Sequence, residues 1–141
     1  MFILDPHVAG QFGDATVMDS SQFPPVVKIL EYLLDEPDAD DLIQCFPVFL
    51  VSNNMADRLV AEKMTGFELR AAEVRPSEDY LAVYGPGRGE TYLWLRVVPS
   101  EEPDCWVAPD GRLAVSDRMM RALSHGRLTR CDIEAGENAT S

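Results

Sequence analysis

The order of apolar and polar residues predicts short elements rather than long ones. Residues 2–4, Phe2-Ile3-Leu4, form an apolar run closed by Asp5 and read as a first strand. Further on, Val26, Ile29, Leu30, Leu33 and Leu34 follow the i, i+3, i+4, i+7, i+8 stripe of an amphipathic helix, with Pro24 and Pro25 at its entry. A strand competes there, because Val and Ile favour extended backbone and Lys28 and Glu31 have opposite parity. Asp40 or Asp41 is placed to cap a short helical turn through Leu42, Ile43 and Cys45.

One pattern occurs twice. Sliding residues 49–69 over 113–133, an offset of 64, aligns Val51, Ser52, Met55, Leu59 and Thr65 with Val115, Ser116, Met119, Leu123 and Thr129. In each copy an apolar strand ends at a serine whose hydroxyl can accept from an orphan N–H of a following helix. Met55 and Leu59, like Met119 and Leu123, then lie four apart on one helix face. A break near Gly66 or Gly126 follows, and the short strands 67–69 and 131–133 close the copies. The repeated unit therefore reads strand, Ser-capped helix, strand.

Residues 80–84 and 91–98 also look strand-like, with Gly85-Pro86-Gly87-Arg88-Gly89 between them, and together suggest a hairpin. Tyr92 and Trp94 share one face of the second strand, opposite Leu93, Leu95 and Val97. Two largely apolar faces predict a central strand. The expected fold is one α+β domain spanning 1–141, a mixed or antiparallel sheet with two or three helices, ending in a flexible tail at 136–141.

Composition narrows the function classes. With 141 residues and 46% hydrophobic content the chain can build a core without staples. Twenty-four acids against twelve bases give a net charge of −12, which argues against nucleic acid or an anionic membrane surface as partner. No stretch approaches the ~18 apolar residues of a membrane span. The start, with no basic region and four apolar residues before Asp5, predicts no export leader and a cytoplasmic protein. Cys45, Cys105 and Cys131 are odd in number and widely spaced, as expected of reduced thiols.

Candidate chemistry is sparse. The glycine loop lacks the Gly-Lys-Ser/Thr ending of a phosphate loop, and Glu90 follows it. The acidic segment fails the calcium-loop spacing from either Asp35 or Asp38. His125 adjoins Ser124, a spacing that points the two apart on a helix, and its place near a helix C-terminus suits the dipole. His7 has no sequence-linked nucleophile, and no His/Cys spacing fits zinc. The reading is a non-catalytic protein without metal or cofactor.

Charge placement is more informative. Residues 1–56 hold nine acids and a single base, Lys28, and five carboxylates crowd into 35–41. Asp35, Glu36, Asp38, Asp40 and Asp41 are therefore candidate partner-binding residues, with Tyr84, Arg88, Glu90 and Trp106 as aromatic anchors and rim contacts.

These residues carry a resemblance. The stretch Tyr32-Leu33-Leu34-Asp35, Asp40-Asp41-Leu42-Ile43, Phe46-Pro47-Val48-Phe49-Leu50-Val51-Ser52, Leu59, Thr65-Gly66-Phe67-Glu68 and the later Asp104-Cys105-Trp106 and Leu113-Ala114-Val115-Ser116 resembles small bacterial immunity proteins of polymorphic toxin systems, over roughly residues 30–135. It departs from their pattern at Glu36 and Pro37, where an aromatic and a glycine are usual. The resemblance implies a cytoplasmic inhibitor that occludes a co-encoded toxin domain, with no catalytic residue of its own. Many such toxins are basic, and an acidic surface would speed the encounter. A self-associating accessory protein, dimeric through the aromatic hairpin, and a small enzyme with a carboxylate or a spatial Cys45–His7 pair stay open beside it.

Overall fold

In chain order the elements are β1 (Phe2–Asp5), β2 (Gly10–Phe12), β3 (Val17–Asp19), β4 (Val26–Ile29), β5 (Glu31–Leu34), β6 (Leu42–Cys45), β7 (Val48–Ser52), α1 (Asn53–Ala61), β8 (Phe67–Arg70), β9 (Glu73–Pro76), α2 (Glu78–Tyr84), β10 (Tyr92–Val97), β11 (Cys105–Val107), β12 (Leu113–Val115), α3 (Asp117–Ser124) and β13 (Asp132–Ala135). The computed structural model describes residues 1–87 and 89–136; Arg88 and the tail beyond Gly136 lie outside the described residues. Gly136 itself donates its N–H to the Met1 carbonyl. The architecture is α+β, with mixed and antiparallel sheets. Among the described residues no helix is long and apolar enough to cross a membrane.

Two four-stranded sheets dominate, in the orders β6-β7-β10-β8 and β11-β12-β1-β13. The orders correspond: in each, an antiparallel hairpin is followed by a strand from elsewhere in the chain, then by the strand that leaves the helix. Strand β10 pairs with β7 on one side and β8 on the other, so it is central, as its two apolar faces predict. Phe49, Val51 and Leu95 point into a core shared with α1, α3 and β12. Val48, Leu50, Tyr92 and Trp94 point the other way, onto Tyr32, Leu34 and Tyr80. A strand buried on both faces needs a continuous apolar run, and Val48-Phe49-Leu50-Val51 supplies one. Both capping serines act as caps: Ser52 accepts from the Met55 N–H and Ser116 from the Met119 N–H.

Three expectations are corrected. Residues 26–34 form the strands β4 and β5, not a helix. The helical spacing of Val26, Ile29, Leu30 and Leu33 arises from two strands meeting at Leu30, and pairing decides the outcome: β5 lies between β2 and the parallel β9. Residues 42–45 form β6, because Asp40 turns its carboxylate across to Thr129 and Arg130, away from the N–H groups it would have to cap. Residues 80–84 belong to α2. Ser77 accepts from the Tyr80 N–H, and Glu78 and Asp79 in the first turn suit the dipole. With that, Gly85–Glu90 is a helix-to-strand connection rather than a hairpin turn.

Candidate interaction surface

The acidic segment spends much of its charge internally. Asp40 is fully buried, and its carboxylate accepts from the Thr129 N–H and hydroxyl and the Arg130 N–H. A residue held this way cannot meet a partner, which corrects its assignment as a contact. Asp41 accepts from the Ser52 hydroxyl at 2.6 Å and the Arg127 N–H at 2.6 Å, tying the α1 cap to the chain leaving α3. Glu36 is paired with Arg130 and lies 3.3 Å from His7 Nε2. Asp35 accepts from Gln11 at 3.4 Å. Asp38 alone among the five is exposed, at a turn with φ of 57°.

The remaining candidates separate. Tyr84 ends α2, exposed, with its ring edge-on to Tyr80 at 5.7 Å. Glu90 is drawn to the same place, because the Tyr80 hydroxyl donates to it at 2.7 Å. Trp106 is half-buried on β11, an edge strand of another sheet from the β9 on which α2 packs. Arg88 lies outside the described residues.

Helix α2 is the unusual element. Of its seven residues only Tyr80 is buried, and Leu81, Ala82, Val83 and Tyr84 form an unbroken exposed apolar run. Val83 is 71% exposed. Four consecutive apolar side chains in water are unfavourable unless something covers them. Beside the helix runs a groove lined by Phe12, Asp14, Leu33, Arg75, Glu78 and Asp79, among others. Arg75 is held by the buried Glu31 at 3.1 Å, and Asp14, Glu78 and Asp79 make no ion pair among the described residues. The surface thus joins apolar area to uncompensated negative charge. Sequence reasoning missed it by reading 80–84 as a strand; Ser77-Glu78-Asp79, an N-cap followed by two acids, was the available signal.

Groups suited to covalent or metal chemistry are placed differently. His7 is buried, with Nε2 3.1 Å from Arg130 Nη1 and Nδ1 without a partner. No hydrogen bond joins it to Cys45, whose thiol burial pushes up. Burial, with the Asp104 charge behind it, pushes the Cys105 thiol up to about 12. Among the described residues no three His, Cys, Asp or Glu side chains are arranged to hold a metal ion. A second apolar patch, with Phe23 and Phe46 rings 6.0 Å apart, lies over Gly111, next to an Arg112 held by Asp110. Compared with family models, curated proteins and solved structures, the chain matches none of them.

Proposed function

We propose that this chain is an acidic binding protein of immunity type, which neutralises a basic toxin domain by covering it with the α2 surface. The observation that carries this is the exposed run Leu81-Ala82-Val83-Tyr84 flanked by Asp14, Glu78 and Asp79, which make no ion pair among the described residues. Apolar side chains supply affinity once desolvated, while the acids select a basic partner and speed its approach. A contact of standard size needs about 800 Å² on each side, so α2 would form its centre and Phe12, Leu33 and the 35–38 turn its rim. A second copy of this chain fits less well, since it would add a second set of uncompensated acids, Asp14, Glu78 and Asp79, to one contact.

The test is binding to the toxin domain encoded by the neighbouring reading frame, followed by calorimetry and stopped flow. Leu81→Asp with Val83→Asp should weaken binding by at least ~100-fold, the scale of two hot-spot losses. Glu78→Lys with Asp79→Lys should mainly slow association and flatten its dependence on salt. Unchanged affinity in both variants would refute the reading, as would sedimentation showing a stable dimer that the Leu81 and Val83 changes dissolve.

A further inference from the structure

Asp41 and Asp104 make the same four bonds in crossed positions. The Asp104 N–H donates to the Thr65 carbonyl at 3.0 Å, and its own carbonyl accepts the Ser116 N–H at 2.7 Å. One carboxylate oxygen takes the Ser116 hydroxyl at 2.7 Å and the other the Thr65 N–H at 2.9 Å. For Asp41 the partners are the Arg127 carbonyl at 2.9 Å and the Ser52 N–H at 2.8 Å. The Ser52 hydroxyl and the Arg127 N–H complete its set, both at 2.6 Å. Each aspartate therefore ties the cap of one helix to the chain leaving the other.

The two corners differ in one side chain. At the second residue of α3, Arg118 sets Nη2 2.7 Å from Asp104 Oδ2. Its other donors reach the Glu62 and Lys63 carbonyls at the end of α1, at 2.8 and 3.0 Å. The guanidinium thus bridges a carboxylate and the negative end of a helix, the pairing a planar fork of donors favours. At the second residue of α1 the counterpart is Asn54, exposed and without a hydrogen bond among the described residues. The matching carbonyls are those of Ser124 and His125 at the end of α3. Asp41 makes no ion pair among the described residues, although Arg127 follows on the same loop and contributes only its backbone to the carboxylate. On the other side of Asn54 opens a groove of about 240 Å³ lined by Ser52, Asn53, Glu90, Thr91 and Tyr92, which neither Asp41 nor the end of α3 lines.

We infer that this corner, formed by Asp41, the carbonyls ending α3 and the Asn54 side, binds an arginine side chain, and that the partner supplies it. The owner of the arginine rests on the function proposed above; the binding of the guanidinium does not. Glu90 connects the two places, since it lines the groove at Asn54 and accepts from Tyr80 of α2. A domain docked on α2 would therefore have this corner within reach.

The first experiment needs only the isolated protein. Asn54→Arg places in the chain the group that Arg118 supplies at the other corner. The melting temperature should rise by about 2–4 °C at low salt, and by less at high salt. Asn54→Lys, without the planar fork, should give a smaller rise. Titration of the wild type with N-acetylarginine methylamide should shift the amide resonances of Asn54, Ser124, His125 and Gly126, and N-acetyllysine methylamide should do so less. No rise and no selective shift would overturn the inference. With the toxin domain, Asn54→Arg should weaken binding at least ~10-fold, because the chain's own arginine competes. A raised melting temperature with unchanged toxin affinity would overturn the partner's role. Loss of toxin binding in Asn54→Arg with no effect of the α2 changes would support the corner and refute the α2 reading.

Discussion

Replacing Asp40 separates the structural from the partner-facing part of the acidic segment. Its carboxylate is fully buried and accepts three hydrogen bonds, two from backbone N–H groups and one from the Thr129 hydroxyl. Asp40→Ala leaves all three donors without an acceptor. A hydrogen bond to a charged group contributes ~1.5–3 kcal/mol, but Thr129 and Arg130 are themselves exposed and their N–H groups can recover water. Taking ~1 kcal/mol for each gives a loss of about 3 kcal/mol. Asp40→Asn keeps one acceptor and turns an NH₂ toward the Arg130 N–H, so about half that loss is expected. Asp57, exposed on α1, serves as the control; Asp57→Asn should stay within ~0.5 kcal/mol. With a urea slope near ~2 kcal/mol per molar, Asp40→Ala should lower the unfolding midpoint by ~1.5 M. A midpoint no lower than that of Asp57→Asn would refute the assignment of Asp40 to the interior.

Two further outcomes concern titration. Burial alone would raise the Asp104 carboxyl, but bonds from Arg118, Ser116 and Thr65 outweigh it and hold the group below 3.8. A depressed carboxyl stabilises the fold above its unfolded value and loses that contribution as pH falls through the folded one. Stability measured by urea unfolding should therefore drop below pH 3.8, and Arg118→Ala should make that drop shallower; an unchanged slope would refute it. The Cys131 thiol is pushed up to about 12 by burial and then by the charges of Asp40, Asp132 and Asp5. With Cys105 shifted to a similar value, both thiols of the native protein should react with a disulfide reagent at pH 8 about 100-fold more slowly than after unfolding. Rapid labelling of either in the native state would contradict this.

Elements whose cues were local were legible in the sequence. Ser52 and Ser116, each followed by Met and Leu four apart, mark helices that form where expected, and Tyr92 and Trp94 opposite Leu93 and Leu95 mark a central strand. Elements decided by distant partners were not. Nothing near Leu30 shows that β5 will lie beside β9, more than forty residues on, yet that pairing overrides a helical spacing. Asp40 looks like a cap until Thr129 and Arg130 arrive from the far end of the chain. The same distance hid the candidate surface. A dense run of carboxylates reads as solvated, but here it is partly an anchor for residues 127–130, and the charge left outside comes from scattered positions such as Asp14 and Asp79.

Two exposed apolar patches compete for the role of contact, and charge decides between them. Phe23 and Phe46 face each other, and the ring of Phe46 packs over Gly111, where any side chain would collide with it. Asp110, beside Gly111, is bound by Arg112, which also reaches Glu134. At Phe46 that patch therefore sets its hydrophobic area beside an acid already neutralised. On α2 the apolar run is held up by a single buried anchor, Tyr80, fixed at both ends by Ser77 and Glu90, while Asp14, Glu78 and Asp79 make no ion pair among the described residues. Where packing and electrostatics are both left unsatisfied at one place, a partner that satisfies both is the simplest explanation.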